Sequence, residues 1–286
     1  IQIAACYRPG ENVRHAGEDI PPGTSVLTVG KYLLPPDLGL LASLGILEVT
    51  VTRRLRVGLL STGDEILPQG AIHEPGKIYD SNRFSLRGAI TAKLIPDIID
   101  YGIAPDNPSV LKQTIEEMAR RCDVIVCSGG VSVGTADYTK EVMAQLGHVE
   151  FWKVAIKPGR PLAFGHVDGC VFFGLPGNPV AVLVTFSQFV LPALFKLAGA
   201  NQPPLLPTFP AKTLERLRKK PGRTEFQRGV LERGEAGQWQ VRTAGKQGSG
   251  ILSSMTRGNC LIVLEHDRGT VMPGEWVEVM PFAMLM

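Results

Sequence analysis

The chain has 286 residues, 44% of them hydrophobic and 20% charged, with a net charge of +3. That is enough chain for one large or two moderate cores, and the balance excludes a disordered or collagen-like protein. So small a charge does not by itself imply nucleic acid or membrane binding, and the densest basic run, residues 216–220, lacks interleaved aromatics and reads as a solvated segment near a turn.

The sequence opens at Ile1 in a strand-like run with neither a basic n-region nor a long apolar h-region. No signal peptide is expected, and a further portion upstream is. Residues 1–22 read as the end of a truncated β-rich domain, closed by the turn Pro21-Pro22-Gly23. Residues 23–55 read as a helical and extended connecting segment. There Asp37 caps a brief helix to Leu44, Gly45 ends it, and residues 46–51 alternate like a half-buried strand.

From residue 56 to 202 the pattern is α/β. Strands are expected over 56–60, 95–103, 123–127, 151–156, 162–165 and 170–174, and helices over 82–92, 109–121, 138–146 and from Asn178 onward. Nearly continuous apolar strands between helices predict an open, mostly parallel sheet with helices on both faces. The apolar stretch 180–200 contains Gln188, Pro192 and Lys196, so it reads as a buried helix rather than a membrane span. Residues 203–286, short runs separated by Gly and Pro, predict a small C-terminal β domain. The five cysteines include no C-x-x-C pair, which suits a reducing, cytoplasmic compartment, and the five histidines show no H-x-x-x-H zinc spacing.

Open parallel sheets bind ligands beyond the carboxyl ends of their strands. Three such ends carry polar, glycine-rich loops: Ser61-Thr62-Gly63-Asp64-Glu65, Ser128-Gly129-Gly130-Val131-Ser132, and Gly174-Leu175-Pro176-Gly177-Asn178-Pro179. Successive glycines let N–H groups converge on an anion. Thr135 stands where the lysine of a Walker A loop would be, and no G-x-G-x-x-G follows a strand, so neither a triphosphate nor a dinucleotide site is expected. Asp64, Glu65, Asp106 and Asp137 gather at the same edge. Carboxylates beside a phosphate nest call for a divalent cation between them, and Mg²⁺, which takes one or two carboxylates plus phosphate oxygens, fits. Asp106 could instead cap the next helix. Lys153 and Lys157, an even number apart on an expected strand, would project from one face and share an anion.

Together with Asp137-Tyr138, Lys157-Pro158-Gly159, Phe226-Gln227-Arg228-Gly229 and Gln247-Gly248-Ser249, these loops resemble the molybdopterin molybdenumtransferase family, bacterial MoeA and the gephyrin E domain, over essentially the whole chain. The resemblance implies a molybdopterin-binding α/β fold, a C-terminal β domain and remnants of N-terminal domains. It also implies a cytoplasmic homodimer that inserts molybdate into adenylylated molybdopterin and hydrolyses the adenylate with Mg²⁺, releasing AMP. On that resemblance Glu65, Asp106 and Asp137 are the essential acids, with Asp106 and Asp137 the metal ligands. Thr62, Gly63, Asp64, Ser128, Gly129, Gly130, Ser132, Gly177, Asn178 and Pro179 bind the pterin substrate, and Lys153, Lys157, Arg228 and Ser249 receive molybdate. Two departures matter: Asn107 stands where a second Asp is frequent, and Thr135 where an acid is frequent. Family members also carry an N-terminal portion that contributes to the site across the dimer.

Three rival readings stand beside this one. A molybdopterin adenylyltransferase shares the α/β fold but not the C-terminal β domain with Arg228 and Ser249. A CinA-type amidohydrolase should not carry the Lys157-Pro158-Gly159 and Gly174-to-Pro179 motifs together. A non-catalytic scaffold of the gephyrin E type need not keep Glu65, Asp106, Asp137, Lys153 and Lys157 in register.

Overall fold

The computed structural model describes residues 8, 10–130, 138–202 and 206–285. They gather in two compact units: one holds the described residues up to Val51 with Gly199–Gln202, the other the rest.

In the first unit, α1 spans Pro35–Ser43. Two prolines occupy its first turn, where missing N–H groups cost nothing and φ is already helical. The helix therefore starts before Asp37, which is not the cap residue expected from sequence. At the third helical position, Asp37 accepts from the Leu34 amide at 2.9 Å and from Lys31 Nζ. Gly45, at φ +75°, follows the helix end. Residues 46–51 form no strand; every one of them is exposed, and Leu47 is 97% exposed. Alternation makes a strand only where a neighbouring strand takes up its N–H and C=O groups, and no described strand pairs with residues 46–51.

The second unit begins with β1 (Arg56–Thr62), the short pair β2 (Ile66–Leu67) and β3 (Ile78–Tyr79), α2 (Asn82–Thr91), β4 (Asp97–Ala104) and α3 (Pro108–Arg121). Then come β5 (Val124–Ser128), α4 (Tyr138–Leu146), β6 (Gly147–Lys153), β7 (Ile156–Lys157), β8 (Pro161–Val167) and β9 (Cys170–Leu175). One sheet runs β4-β1-β5-β9-β8-β6. Its first four strands are parallel, and β8 is antiparallel to both its neighbours. β5 and β9 are buried throughout and β1 after its first residue, which is why they read as continuous apolar runs. On one face Leu111, Ile115 and Met118 of α3 and Val142 and Met143 of α4 pack on Leu60, Ile125 and Phe172. On the other, α2 packs on β1 and α5 (Pro179–Thr185) on β9, and the two helices meet.

After α5, a π turn at Phe186–Val190 leads into α6 (Leu191–Leu197). The π turn lies just before Pro192, which has no N–H to continue an α ladder and whose ring would crowd the preceding turn. By length and composition Pro179–Leu197 could cross a membrane, yet Val180 through Thr185 are all buried inside this unit.

The C-terminal part has β10 (Phe209–Thr213), β11 (Thr224–Arg233), β12 (Trp239–Thr243), α7 (Ser253–Arg257), β13 (Cys260–Leu264), β14 (Trp276–Pro281) and α8 (Phe282–Leu285). The order β12-β10-β14-β13-β11 closes because β11 also pairs with β12. The resulting barrel encloses Ala211, Val241, Ile262, Val277 and Val279. β7 joins the start of β11 in parallel, setting Lys157 opposite Glu225.

The strand expected over 151–156 is thus two strands in two sheets. β6 ends at Lys153; the Val154 amide then donates to Arg160 O at 2.7 Å and Ile156 to Val154 O at 2.9 Å, a tight turn that passes the chain to the barrel. Lys153 and Lys157, expected on one strand face, therefore lie on different strands in different sheets.

At the sheet edge opposite the strands' carboxyl ends, Arg53 Nη1 and Nη2 grip the Asp123 carboxylate at 2.6 and 2.8 Å, and Arg56 Nη2 adds a contact at 2.9 Å. The Arg53 hydrogen bonds, aided by Arg56, hold the Asp123 carboxyl well below the usual carboxylate range. A depressed carboxyl contributes stability above its unfolded value of 3.8 and loses it as pH falls through the folded one. Urea midpoints of the native chain should therefore fall toward those of Asp123→Asn as the pH drops from about 5 to about 2. A gap between the two proteins that does not narrow over that range would show that the pair adds nothing.

Candidate active site

The register levels four strand ends at one edge: Thr62 lies opposite Ala104, Ser61 opposite Ser128, and Ser128 opposite Leu175. The loops after β4, β1, β5 and β9 therefore emerge side by side, neighbours about 4.8 Å apart.

Glycine is required in the loop after β5. Gly129 sits at φ +95° and Gly130 at φ +65°; a Cβ on the first would run into the Thr62 carbonyl, and on the second into the Thr139 hydroxyl. The Gly129 amide donates to Leu175 O at 3.1 Å, and Gly177 faces Gly129 across the gap. Asn82, at the start of α2, ties these loops together. Its Nδ2 donates to Ser128 Oγ at 2.7 Å and to Gly177 O at 2.8 Å. The helix start is fixed by Asp80, which accepts from the Asn82 amide at 3.0 Å and from Arg83 Nε at 2.6 Å. Ser61 Oγ, Thr62 Oγ1 and Asn82 Oδ1 are buried and have no hydrogen-bond partner among the described residues, an arrangement that native proteins keep where a ligand or another group is to be met.

Asn82 escaped the sequence reading because a single polar residue opening a helix looks like an ordinary solvated position. Its burial comes from strand ends 46 and 95 residues away. Asn82→Ala should lower the stability of the chain by about 1–3 kcal/mol by leaving Ser128 and Gly177 without their donor. Urea unfolding checks this; a loss below about 0.5 kcal/mol, within the range of an ordinary surface substitution, would deny Asn82 the bracing role.

The acids stand after β1 and β4. Asp64 Oδ1 accepts from the Asp106 amide at 3.0 Å, Asp64 O accepts from Lys77 Nζ, and the Glu65 carboxylate folds against Gly63, which is at φ +145°. Asp106 does not cap α3. Asn107 does, its Oδ1 accepting from the Ser109 and Val110 amides at 3.0 and 3.2 Å. Desolvation first, and the charges of Asp64 and Glu65 with it, push the Asp106 carboxyl above its ordinary value, against a backbone hydrogen bond from Asp64. Among the described residues, no three His, Cys, Asp or Glu side chains close on a metal by themselves. Asp137 and Ser132 lie outside the described residues.

The other side of the edge is a cleft of about 480 Å³ lined by Lys153, Lys157 to Pro161, Pro176 to Asn178, and Gln247 to Ser249. It collects the two lysines, Gly177, Asn178 and Ser249 in one place, although the lysines come from different sheets. Ser249 O accepts from the Val180 amide at 3.0 Å, fastening the 247–249 loop to the first turn of α5 behind Pro179. Arg228 is not on the cleft surface. It is 1% exposed, donates from Nε to Ser254 Oγ at 2.9 Å and from Nη2 to Gly248 O at 2.9 Å, and its amide donates to Gln247 Oε1 at 2.7 Å. It holds the loop that carries Ser249. Burial lowers its pKa against the opposing charge of Glu225.

Such an edge, with acids at one end, glycine loops in the middle and a lysine-lined cleft at the other, can hold an extended anionic ligand with two separated charged groups. Residues 58–196 match the family described as "Probable molybdopterin binding domain", and residues 210–282 match "MoeA C-terminal region (domain IV)". The whole chain is 46% identical to a molybdopterin molybdenumtransferase of Haemophilus influenzae, of which it covers 70%. It is 32% identical to gephyrin of Dictyostelium discoideum, covering 43% of that protein with 97% of its own length. The crystal structure of a molybdopterin biosynthesis moeA protein from Pyrococcus horikoshii superposes with a TM-score of 0.74 at 31% identity, over 93% of this chain and 63% of that one.

Proposed function

The chain belongs to the molybdopterin molybdenumtransferase family, and from that premise we propose that it binds adenylylated molybdopterin, takes up molybdate and releases AMP. The observation that carries the reading is the single sheet edge on which Asp64, Glu65 and Asp106, the Gly129 and Gly177 loops, and the Lys153–Lys157 cleft follow one another. The division of labour follows the chemistry of each part. Thr62, Ser128, Gly129, Gly130, Gly177 and Asn178 cradle the pterin phosphate, and Lys153, Lys157 and Ser249 receive the tetraoxoanion. Arg228 serves that site from beneath, through the 246–248 loop.

The acids suit a divalent cation. A carboxyl raised by desolvation and by neighbouring like charges gains from a cation, and Mg²⁺ needs only one or two carboxylates once phosphate oxygens and waters complete its shell. Asp106 and, from the loop after β5, Asp137 would hold it, with Asp64 and Glu65 close by. When bound, Mg²⁺ neutralises charge at the phosphoryl group under attack. Asp64 keeps the Asp106 loop in place and, with Glu65, sets the negative field it works in; the glycine amides fix the phosphate, and the lysines keep the molybdate dianion beside it.

The reading carries with it a cytoplasmic homodimer and the segment boundaries 22, 55 and 202 as further proposals. The test is to mix the chain with adenylylated molybdopterin, molybdate and Mg²⁺ and to follow AMP. Molybdate-dependent release is expected. Failure to bind the pterin ligand, together with no release, would overturn the reading.

A further inference from the structure

We propose that Glu225 is a positioning residue of the anion cleft, acting through Lys157; this rests on the reading of that cleft as the molybdate site. Glu225 is a carboxylate in an unwelcome place. Its side chain is 8% exposed, and it sits beside a cleft that must attract a dianion, where a buried negative charge both costs desolvation and repels the ligand.

The contacts supply the compensating use. Glu225 Oε1 lies 3.0 Å from Lys157 Nζ and 3.0 Å from Gln227 Nε2. Gln227 Nε2 is itself held by Arg218 O at 3.1 Å, so the carboxylate has a fixed seat. Backbone pairing of β7 with β11 sets Glu225 opposite Lys157. The lysine side chain remains 48% exposed, reaching the cleft. An ammonium has three donors. One engages Glu225, and two are left for the anion. A lysine stem anchored before the anion arrives has already lost its rotamer freedom, so less is lost on binding. Lys153, the neighbouring lysine of the cleft, shows no ion pair among the described residues, so preorganisation by a carboxylate is peculiar to Lys157 of the two.

A mutant cycle separates positioning from mere bracing of β7 on the barrel. Molybdate binding to the whole chain is measured by equilibrium dialysis for the native protein, Glu225→Gln, Lys157→Ala and the double variant, with thermal unfolding of each. Glu225→Gln is expected to weaken binding by about three- to tenfold in the native background and by less than about twofold when Lys157 is already alanine. Glu225→Asp, which keeps the charge one methylene short, should fall between the native protein and Glu225→Gln, and it stands in for that variant should Glu225→Gln fail to fold. Equal losses in both backgrounds would overturn the proposal, as would tighter binding in Glu225→Gln or no molybdate binding by the native chain. AMP release by the native chain is scored separately. Release with an uncoupled cycle removes the role of Glu225 and leaves the function standing; a coupled cycle with neither pterin binding nor release does the reverse.

Discussion

Asp106→Asn is expected to bring molybdate-dependent AMP release down by at least about a hundredfold, the scale set by losing several kcal/mol of charge stabilisation at phosphorus. The substitution keeps the shape of the side chain and removes its charge. It should not unfold α3, because the cap of that helix is Asn107. It also relieves a clash of charges, since Asp64 and Glu65 both act against the Asp106 carboxylate. Thermal unfolding should therefore occur at or slightly above the native temperature while activity is gone, a combination that a purely structural aspartate does not produce. Full turnover by Asp106→Asn at ordinary Mg²⁺ would remove Asp106 from the chemistry. Asp137→Asn should behave the same way in the same assay.

Arg228→Ala should instead lose stability and anion binding together. The guanidinium is fully buried and donates to Ser254 Oγ and Gly248 O. Truncation leaves those acceptors unpaired, at about 1–3 kcal/mol, and opens a cavity in addition, so a total loss of about 3–5 kcal/mol is expected. With the 246–248 loop released, Ser249 loses its place in the cleft. Lys157→Ala offers the contrast, with molybdate affinity down by roughly tenfold to a hundredfold and a stability loss that comes only from leaving the buried Glu225 carboxylate without its ammonium, no core cavity being opened. Excess molybdate should partly restore the rate of Lys157→Ala. If Arg228→Ala proves as stable as the native chain and loses molybdate alone, Arg228 contacts the anion directly and the supporting role described here is wrong.

Much of this arrangement was legible in the residues. The runs at 56–60, 123–127 and 170–174 announced buried parallel strands because both faces of such strands are covered, and each was followed by a polar, glycine-rich loop. Once the strands are parallel, those loops must share an edge, so the acids and glycines could be brought together without coordinates. Gly129 and Gly130 could be read as obligatory turns; the colliding partners, Thr62 and Thr139, could not.

Where the reading failed, it had extended a local period past the reach of its cause. Residues 46–51 alternate but have no described ladder partner, and residues 151–156 look like one strand but turn out of one sheet into another at Val154. Sequence by itself therefore determined most of the elements of the α/β sheet, their order, its mostly parallel character and the edge where the polar loops gather, because hydrophobic periodicity, caps and turn residues act over a few positions. The tertiary structure alone decided which polar side chains line the cleft and which support those that do. Asn82 meets Ser128 and Gly177, Arg228 meets Gly248 beneath the cleft, and Lys157 meets Glu225 from 68 positions away. Burial and hydrogen bonding at such separations depend on the packing of whole sheets, which no window of sequence contains.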